Sequence, residues 1–251
     1  MGARSKNKAI RRIMVEQKCS MREAAEMYEG AQSSAQFIRP KARKELRPLN
    51  ESQLYYMDSI GANQLTFGVG PAGTGKTFIA ASMACDALLA GEVERIVITR
   101  PAMEAGESLG FLPGTMDEKF EPYFAPVRDV IVKRLGKSHF EGMMRAGHIV
   151  VSPLAYMRGQ SFEKSFILLD EAQNTTPKQM KLFLTRIGED TKVVIDGDPR
   201  QCDFDGENGL DDALYRLERH PQVGVVKFDF DDIVRRGLCK DIVLAYEDAL
   251  T

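Results

Sequence analysis

The feature that most constrains this chain is the octapeptide Gly70-Pro71-Ala72-Gly73-Thr74-Gly75-Lys76-Thr77, which directly follows an apolar stretch and directly precedes a helical one. Glycines at this spacing let the backbone curl so that successive amides point inward, and the helix that follows offers the positive end of its dipole to an anion. A lysine and a hydroxyl residue at the end of the loop add a mobile charge for β- and γ-phosphates and a ligand for Mg²⁺. Such a loop needs a strand behind it and a helix ahead of it, so the chain is expected to be an α/β protein. The same stretch contains Gly68-x-Gly70-x-x-Gly73, a dinucleotide-binding spacing. That alternative wants an acidic residue at the end of the second strand. Here the second strand ends Ile98-Thr99-Arg100, which favours a nucleoside triphosphate.

Apolar runs of strand length alternate with amphipathic segments from Asn50 onward, as in a domain built on a mostly parallel sheet with helices on both faces. Strands are expected at 64–69, 95–99, 148–152, 165–169, 191–195 and 223–228. Their continuous apolar character suits burial on both faces. The best-marked helix follows the fourth strand: Thr176 as N-cap, Pro177 at the first position, Met180, Phe183, Leu184 and Ile187 as an apolar stripe, and Gly188 as the stop.

Charge divides the chain. Residues 1–48 hold twelve Lys/Arg against five Asp/Glu, whereas the remainder holds 22 against 31, so a basic arm precedes an acidic body. Within the arm, Ile10, Ile13 and Met14 fall at helical spacing. Ser20-Met-Arg-Glu23 has the form of a capping box, and a helix from there is expected to end at Gly30. Two short helices of this kind suit a nucleic-acid-binding pair or an oligomerisation hairpin, and a solvated basic tail is the third alternative. Residues 31–50 read as a basic linker with two prolines, which sets a boundary between a helical extension and linker (1–48) and the P-loop domain (49–251). The first thirty residues lack a secretory apolar stretch, no apolar run is long enough to span a bilayer, and the four cysteines form no C-x-x-C pair. These features predict a cytoplasmic protein with reduced thiols and no membrane contact.

A hydrolytic site needs a second contact to the metal and a base for water. Phe166-Ile-Leu-Leu-Asp170-Glu171 offers both, with Asp170 at the tip of a buried strand and Glu171 next to it. Further on, Val193-Val-Ile-Asp196-Gly-Asp198-Pro-Arg-Gln201 is another buried run ending in polar groups, where the amide of Gln201 can sense a γ-phosphate or bind water.

The segments GPAGTGKT, ITRP, ESLGFLPG (107–114), YMRGQSF (156–162), LLDEAQN, FLTRIG (183–188), GDPRQ and DDIVRRGL (231–238) occur in the order found in the phosphate-starvation-inducible PhoH family. Over about residues 50–248 the chain resembles that family, which in turn looks like the first motor domain of superfamily 1 helicases. The resemblance implies a RecA-like P-loop ATPase using ATP and Mg²⁺, a homo-oligomer such as a hexameric ring, and ATP-driven work on RNA or single-stranded DNA. It assigns Lys76 and Thr77 to helicase motif I, Asp170 and Glu171 to motif II, Gln201 to motif III and Arg235 to a motif IV arginine at the γ-phosphate. Gln53 resembles the glutamine that reads adenine, the alternative being an exposed first-turn glutamine. Gln160 stands where the family more usually has a second arginine after Arg158-Gly. For a lone motor domain the resemblance implies that the further cation comes from a neighbouring subunit or is absent. Arg186 occupies the position of a trans arginine finger, or else is a surface arginine favoured at a helix C-terminus. The alternatives to a motor are a P-loop phosphotransferase and a nucleotide-gated regulator or scaffold without unwinding activity.

Overall fold

The computed structural model describes residues 44–101, 116–157 and 161–235, together with residues 10, 11, 14, 20–25, 237, 238, 241–243 and 245. The expected helix end at Gly30, the segment 107–114, Arg158 and Gln160 lie outside the described residues. Of the amino-terminal arm, residues 21–25 are helical, and the expected capping box is present: the Glu23 carboxylate accepts from the Ser20 amide at 2.8 Å and Ser20 Oγ accepts from the Glu23 amide at 3.3 Å.

From Glu51 the elements run α1 (Glu51–Ala62), β1 (Leu65–Val69), α2 (Lys76–Ala90), β2 (Arg95–Thr99), α3 (Met116–Leu135), α4 (Lys137–Arg145), β3 (Ile149–Val151), β4 (Ser165–Leu169), α5 (Pro177–Leu184), β5 (Lys192–Gly197), α6 (Gly209–Leu217) and β6 (Val223–Lys227). Among the described residues the six strands form one sheet in the order β3-β2-β4-β5-β1-β6, and every pairing is parallel. Each expected strand is present, shifted at its ends by no more than two residues.

Period-two alternation sorts the strands onto two faces. Phe166, Leu168 and Val194 point into one core with Tyr56 and Ile60 of α1, the apolar side of α2, and Phe124, Val127 and Ile131 of α3. Ile167, Leu169, Val193 and Ile195 point into the other with Met180 and Phe183 of α5 and Leu210 of α6. Burial on both faces is why these strands read as unbroken apolar runs.

The helix after β4 begins as expected. Thr176 and Gln179 make a reciprocal capping box, and Pro177 occupies the first turn. It ends earlier, however, at Leu184, because Ile187 leaves the stripe to form a bridge with Phe162. Gly188 is therefore not the stop: a Cβ there would lie 2.5 Å from the Phe162 carbonyl oxygen, so close backbone approach requires the glycine.

With β5 inserted between the P-loop strand β1 and the Asp-Glu strand β4, the carboxyl ends of β1, β4 and β5 open onto one crevice, the RecA-like P-loop arrangement that the resemblance implies. In an open parallel sheet this edge is where ligands bind.

Candidate nucleotide site

The loop between β1 and α2 turns through Gly70, Gly73 and Gly75, all at positive φ. At Gly70 the conformation is also enforced by space, since a Cβ would meet the Phe228 carbonyl oxygen at 2.2 Å. Gly75 is the N-cap of α2 and supplies no side-chain cap, so the first amides of this fifteen-residue helix are left for a ligand to satisfy. Lys76 is 8% exposed and lies over the loop, donating to the carbonyls of Gly70 at 2.6 Å and Pro71 at 2.8 Å and to Thr74 Oγ1 at 3.3 Å. Burial lowers its pKa below the ordinary lysine value, while the surrounding carboxylates of Asp196, Asp198, Asp170 and Glu171 pull it back up.

Register brings the second set of groups to the same place. Leu169 pairs with Thr99 and with Ile195, so Asp170 emerges beside the ends of β2 and β5. Asp170 is 3% exposed; its Oδ1 accepts from Thr77 Oγ1 at 3.1 Å, and its Oδ2 accepts from Arg100 Nε at 3.0 Å and Nη2 at 2.5 Å. Glu171 adopts a left-handed conformation, φ 57°, that non-glycine residues adopt only when their surroundings hold them there. Gln173 supplies part of that hold, donating to Glu171 Oε2 at 2.8 Å while its own oxygen accepts from the Asp198 amide at 3.1 Å.

These elements enclose a cavity of about 420 Å³ whose walls include Gly73, Lys76, Thr77, Asp170, Glu171, Gln201 and Arg235. Arg235 reaches it because Val234 donates to the Gly73 carbonyl at 3.0 Å, which lays the arginine stem 3.1 Å from where a Gly73 Cβ would stand. Six side chains singled out in the sequence, Lys76, Thr77, Asp170, Glu171, Gln201 and Arg235, are thus brought together with the loop glycines. Two are not. Gln53, 3% exposed, spends its amide inside the protein: it accepts from the Leu49 amide at 2.8 Å and donates to the Thr74 carbonyl at 2.8 Å, bracing the loop from behind. The exposed alternative is therefore excluded, since Gln53 is buried. Arg186 lies just past α5, where its carbonyl accepts from the Phe162 amide at 3.0 Å, at the amino-terminal edge of the sheet and away from its own chain's cavity. It is half-buried, and its Nε has no hydrogen-bond partner among the described residues.

The donor set at Thr77 and Asp170 fits Mg²⁺. A hydroxyl and a carboxylate are hard oxygen ligands, the kind that Mg²⁺ takes beside phosphate and water.

Sequence reasoning missed three groups. Gln173 is one; its signal was a polar residue, fully buried in the structure, directly behind the Asp-Glu pair. The others are Asp196 and Tyr56. Asp196 ends an apolar run on β5 and is buried, with the Tyr56 hydroxyl donating to its Oδ1 and with Oδ2 unpartnered among the described residues. Burial, reinforced by the Asp170 charge, pushes its pKa up to about 8.

The family model described as PhoH-like protein matches residues 45–247. Protein PhoH of Escherichia coli K12 is 49% identical over 201 residues, covering 78% of this chain and 57% of that one. A PhoH-like protein of Mycobacterium tuberculosis H37Rv is 48% identical over 205 residues, covering 81% and 58% respectively. The chain thus spans a little over half the length of these curated relatives. Among solved structures, the Pif1 helicase of Candida albicans aligns with 73% of this chain and 41% of its own, at a TM-score of 0.38 and 16% identity. Among the described residues no helix is long and apolar enough to cross a membrane.

Proposed function

The chain belongs to the PhoH-like protein family, and from that premise we propose that it is a Mg²⁺-dependent ATPase working as a nucleic-acid-stimulated motor on RNA or single-stranded DNA. The observation that carries this reading is the convergence of Lys76, Thr77, Asp170, Glu171, Gln201 and Arg235 on one cavity at the carboxyl edge of the sheet.

In this reading the amides of residues 73–77 and the Lys76 ammonium bind the phosphate chain. Lys76 exchanges neutral carbonyl partners for charged oxygens, which make stronger, charge-assisted bonds. Thr77 and Asp170 hold Mg²⁺, which when bound neutralises charge on the β- and γ-phosphates. Glu171, fixed by Gln173, orients the attacking water and takes its proton. Gln201 and Arg235 donate to the γ-phosphate side, where negative charge shifts during cleavage. The pairing of a carboxylate base with the metal aspartate favours hydrolysis over mere nucleotide binding.

Two further parts of the reading concern partners. Arg186 serves a neighbouring subunit's cavity in a head-to-tail ring, an arrangement its distance from its own cavity permits. The basic arm contributes nucleic-acid affinity, since each phosphate neutralised on a single strand steepens the dependence of log affinity on log salt by about 0.7. The deciding experiment is the ATPase rate with and without single-stranded RNA and DNA, measured beside native mass across the assembly midpoint. Stimulation by either polymer, with turnover per subunit rising as the ring forms, supports the motor. A rate indifferent to both polymers and to assembly overturns it.

A further inference from the structure

Arg100 is the first residue beyond β2 and Asp170 the first beyond β4, and because Thr99 and Leu169 are register partners the two side chains emerge next to each other. The guanidinium spends Nε and Nη2 on Asp170 Oδ2, and its third group, Nη1, donates to the Tyr123 carbonyl of α3 at 2.6 Å. One side chain thus joins the acidic tip of β4 to a helix whose Pro126 and Val130 also line the cavity.

The attachment point on α3 is a weak stretch of helix. Tyr123 lies between Pro122 and Pro126, and each proline removes a ladder donor and crowds the carbonyl four residues before it. From the next residue on, the helix is anchored by Phe124, Val127 and Ile131, all buried in the core. The Arg100 bond therefore ties the proline-flanked turn of α3 to the tip of β4.

Asp170 Oδ1 is already engaged by Thr77, which leaves Oδ2 as the oxygen that can turn to a second cation. Arginine prefers bidentate phosphate contacts, so a triphosphate in the cavity offers the guanidinium a new partner while Mg²⁺ takes its place at the carboxylate. We propose that Arg100 is a positioning residue that tethers α3 to Asp170 and is exchanged for Mg²⁺ when the triphosphate binds, so that nucleotide occupancy breaks this link between β4 and α3 at Tyr123. This rests on the triphosphate reading of the cavity.

The protein contains no tryptophan, so Tyr123→Trp places a single reporter at the tether while keeping the backbone carbonyl. Acrylamide quenching of this tryptophan should rise when Mg²⁺ and a non-hydrolysable ATP analogue are added together, and stay unchanged when the analogue is added with a chelator. With Arg100→Gln in the same background, quenching should be high from the start and insensitive to Mg²⁺. The Mg²⁺ concentration that half-saturates analogue binding should fall about tenfold, within the roughly 5–150-fold range of coupled sites. Arg100→Lys, which keeps the charge but cannot hold both partners at once, should quench like Arg100→Gln, and serves as the readout if the glutamine variant melts early. Analogue binding that leaves the tryptophan unmoved, or an Arg100 variant with unaltered Mg²⁺ dependence, overturns the tether while sparing the site. Absence of analogue binding to the wild-type protein overturns the triphosphate site and the tether with it.

Discussion

The P-loop wall and the carboxylate wall enclose the same cavity, but they are made differently. The P-loop wall is eight consecutive residues whose binding groups are mostly backbone amides, shaped by glycines and braced by Gln53. The carboxylate wall takes Asp170 and Glu171 from the end of β4 and Asp198 from beyond β5, and is backed by buried side-chain bonds such as Gln173 to Glu171 and Tyr56 to Asp196. A backbone wall tolerates change in its neighbours and fails at a few positions. A side-chain wall spreads its geometry over residues that each matter by degree.

The largest test of that contrast is Lys76→Ala, which removes the one side-chain charge the P-loop wall contributes. Hydrolysis measured by phosphate release should be lost, with nucleotide affinity strongly weakened; an active variant would place the site elsewhere.

Glu171→Gln should lower kcat by about 10²–10⁴-fold, the typical range for a lost general base. Nucleotide affinity should survive, because Thr77, Asp170 and the loop amides are untouched; equal loss of binding and turnover would show that the two walls do not divide the work.

Gln173→Leu should act more mildly, lowering kcat by about 10–10²-fold through misplacement of Glu171 with KM nearly unchanged. It also leaves the buried Asp198 amide without its acceptor, which should cost about 1–3 kcal/mol in urea unfolding. An unchanged kcat in a destabilised protein would make Gln173 a structural strut only.

The smallest effect on turnover is expected from Asp196→Asn, whose signature is in stability. The folded state holds a proton on Asp196 up to about pH 8, whereas an ordinary aspartate in the unfolded chain releases it near pH 3.8. Between these values the folded state binds more protons, so this contribution is fully present below about pH 4 and declines as pH rises to about 8. The asparagine variant should lack that decline, which is on the order of a few kcal/mol in the wild type, when unfolding is followed at pH 5 and pH 8. The same slope in both proteins would assign it to another group.

Much of this molecule was legible residue by residue. The six strands, the N-cap at Thr176, the P-loop and the Asp170-Glu171 pair all depend on local pattern: apolar runs, a proline and a cap, glycine spacing, and an acidic pair at a strand tip. The early end of α5 was not legible, because Ile187 continues the helical stripe on paper and is drawn off by pairing with Phe162. The bracing contacts of Gln53 were not legible for a similar reason, since its partners are the Leu49 amide and the Thr74 carbonyl, and a backbone acceptor 21 residues away leaves no trace in composition.

What the sequence by itself determined is the set of groups that act through covalent neighbourhood: a loop that presents its own amides, the helix dipole behind it, and the alternation that makes a two-faced parallel sheet. The tertiary structure alone decided which distant side chains meet. Strand order and register, set by packing across both faces, put Arg100 against Asp170, Tyr56 against Asp196 and Gln173 between Glu171 and Asp198. Their consequences, a carboxyl group kept protonated and a guanidinium that ties β4 to α3, arise from burial and proximity, which exist only once the chain has closed around them.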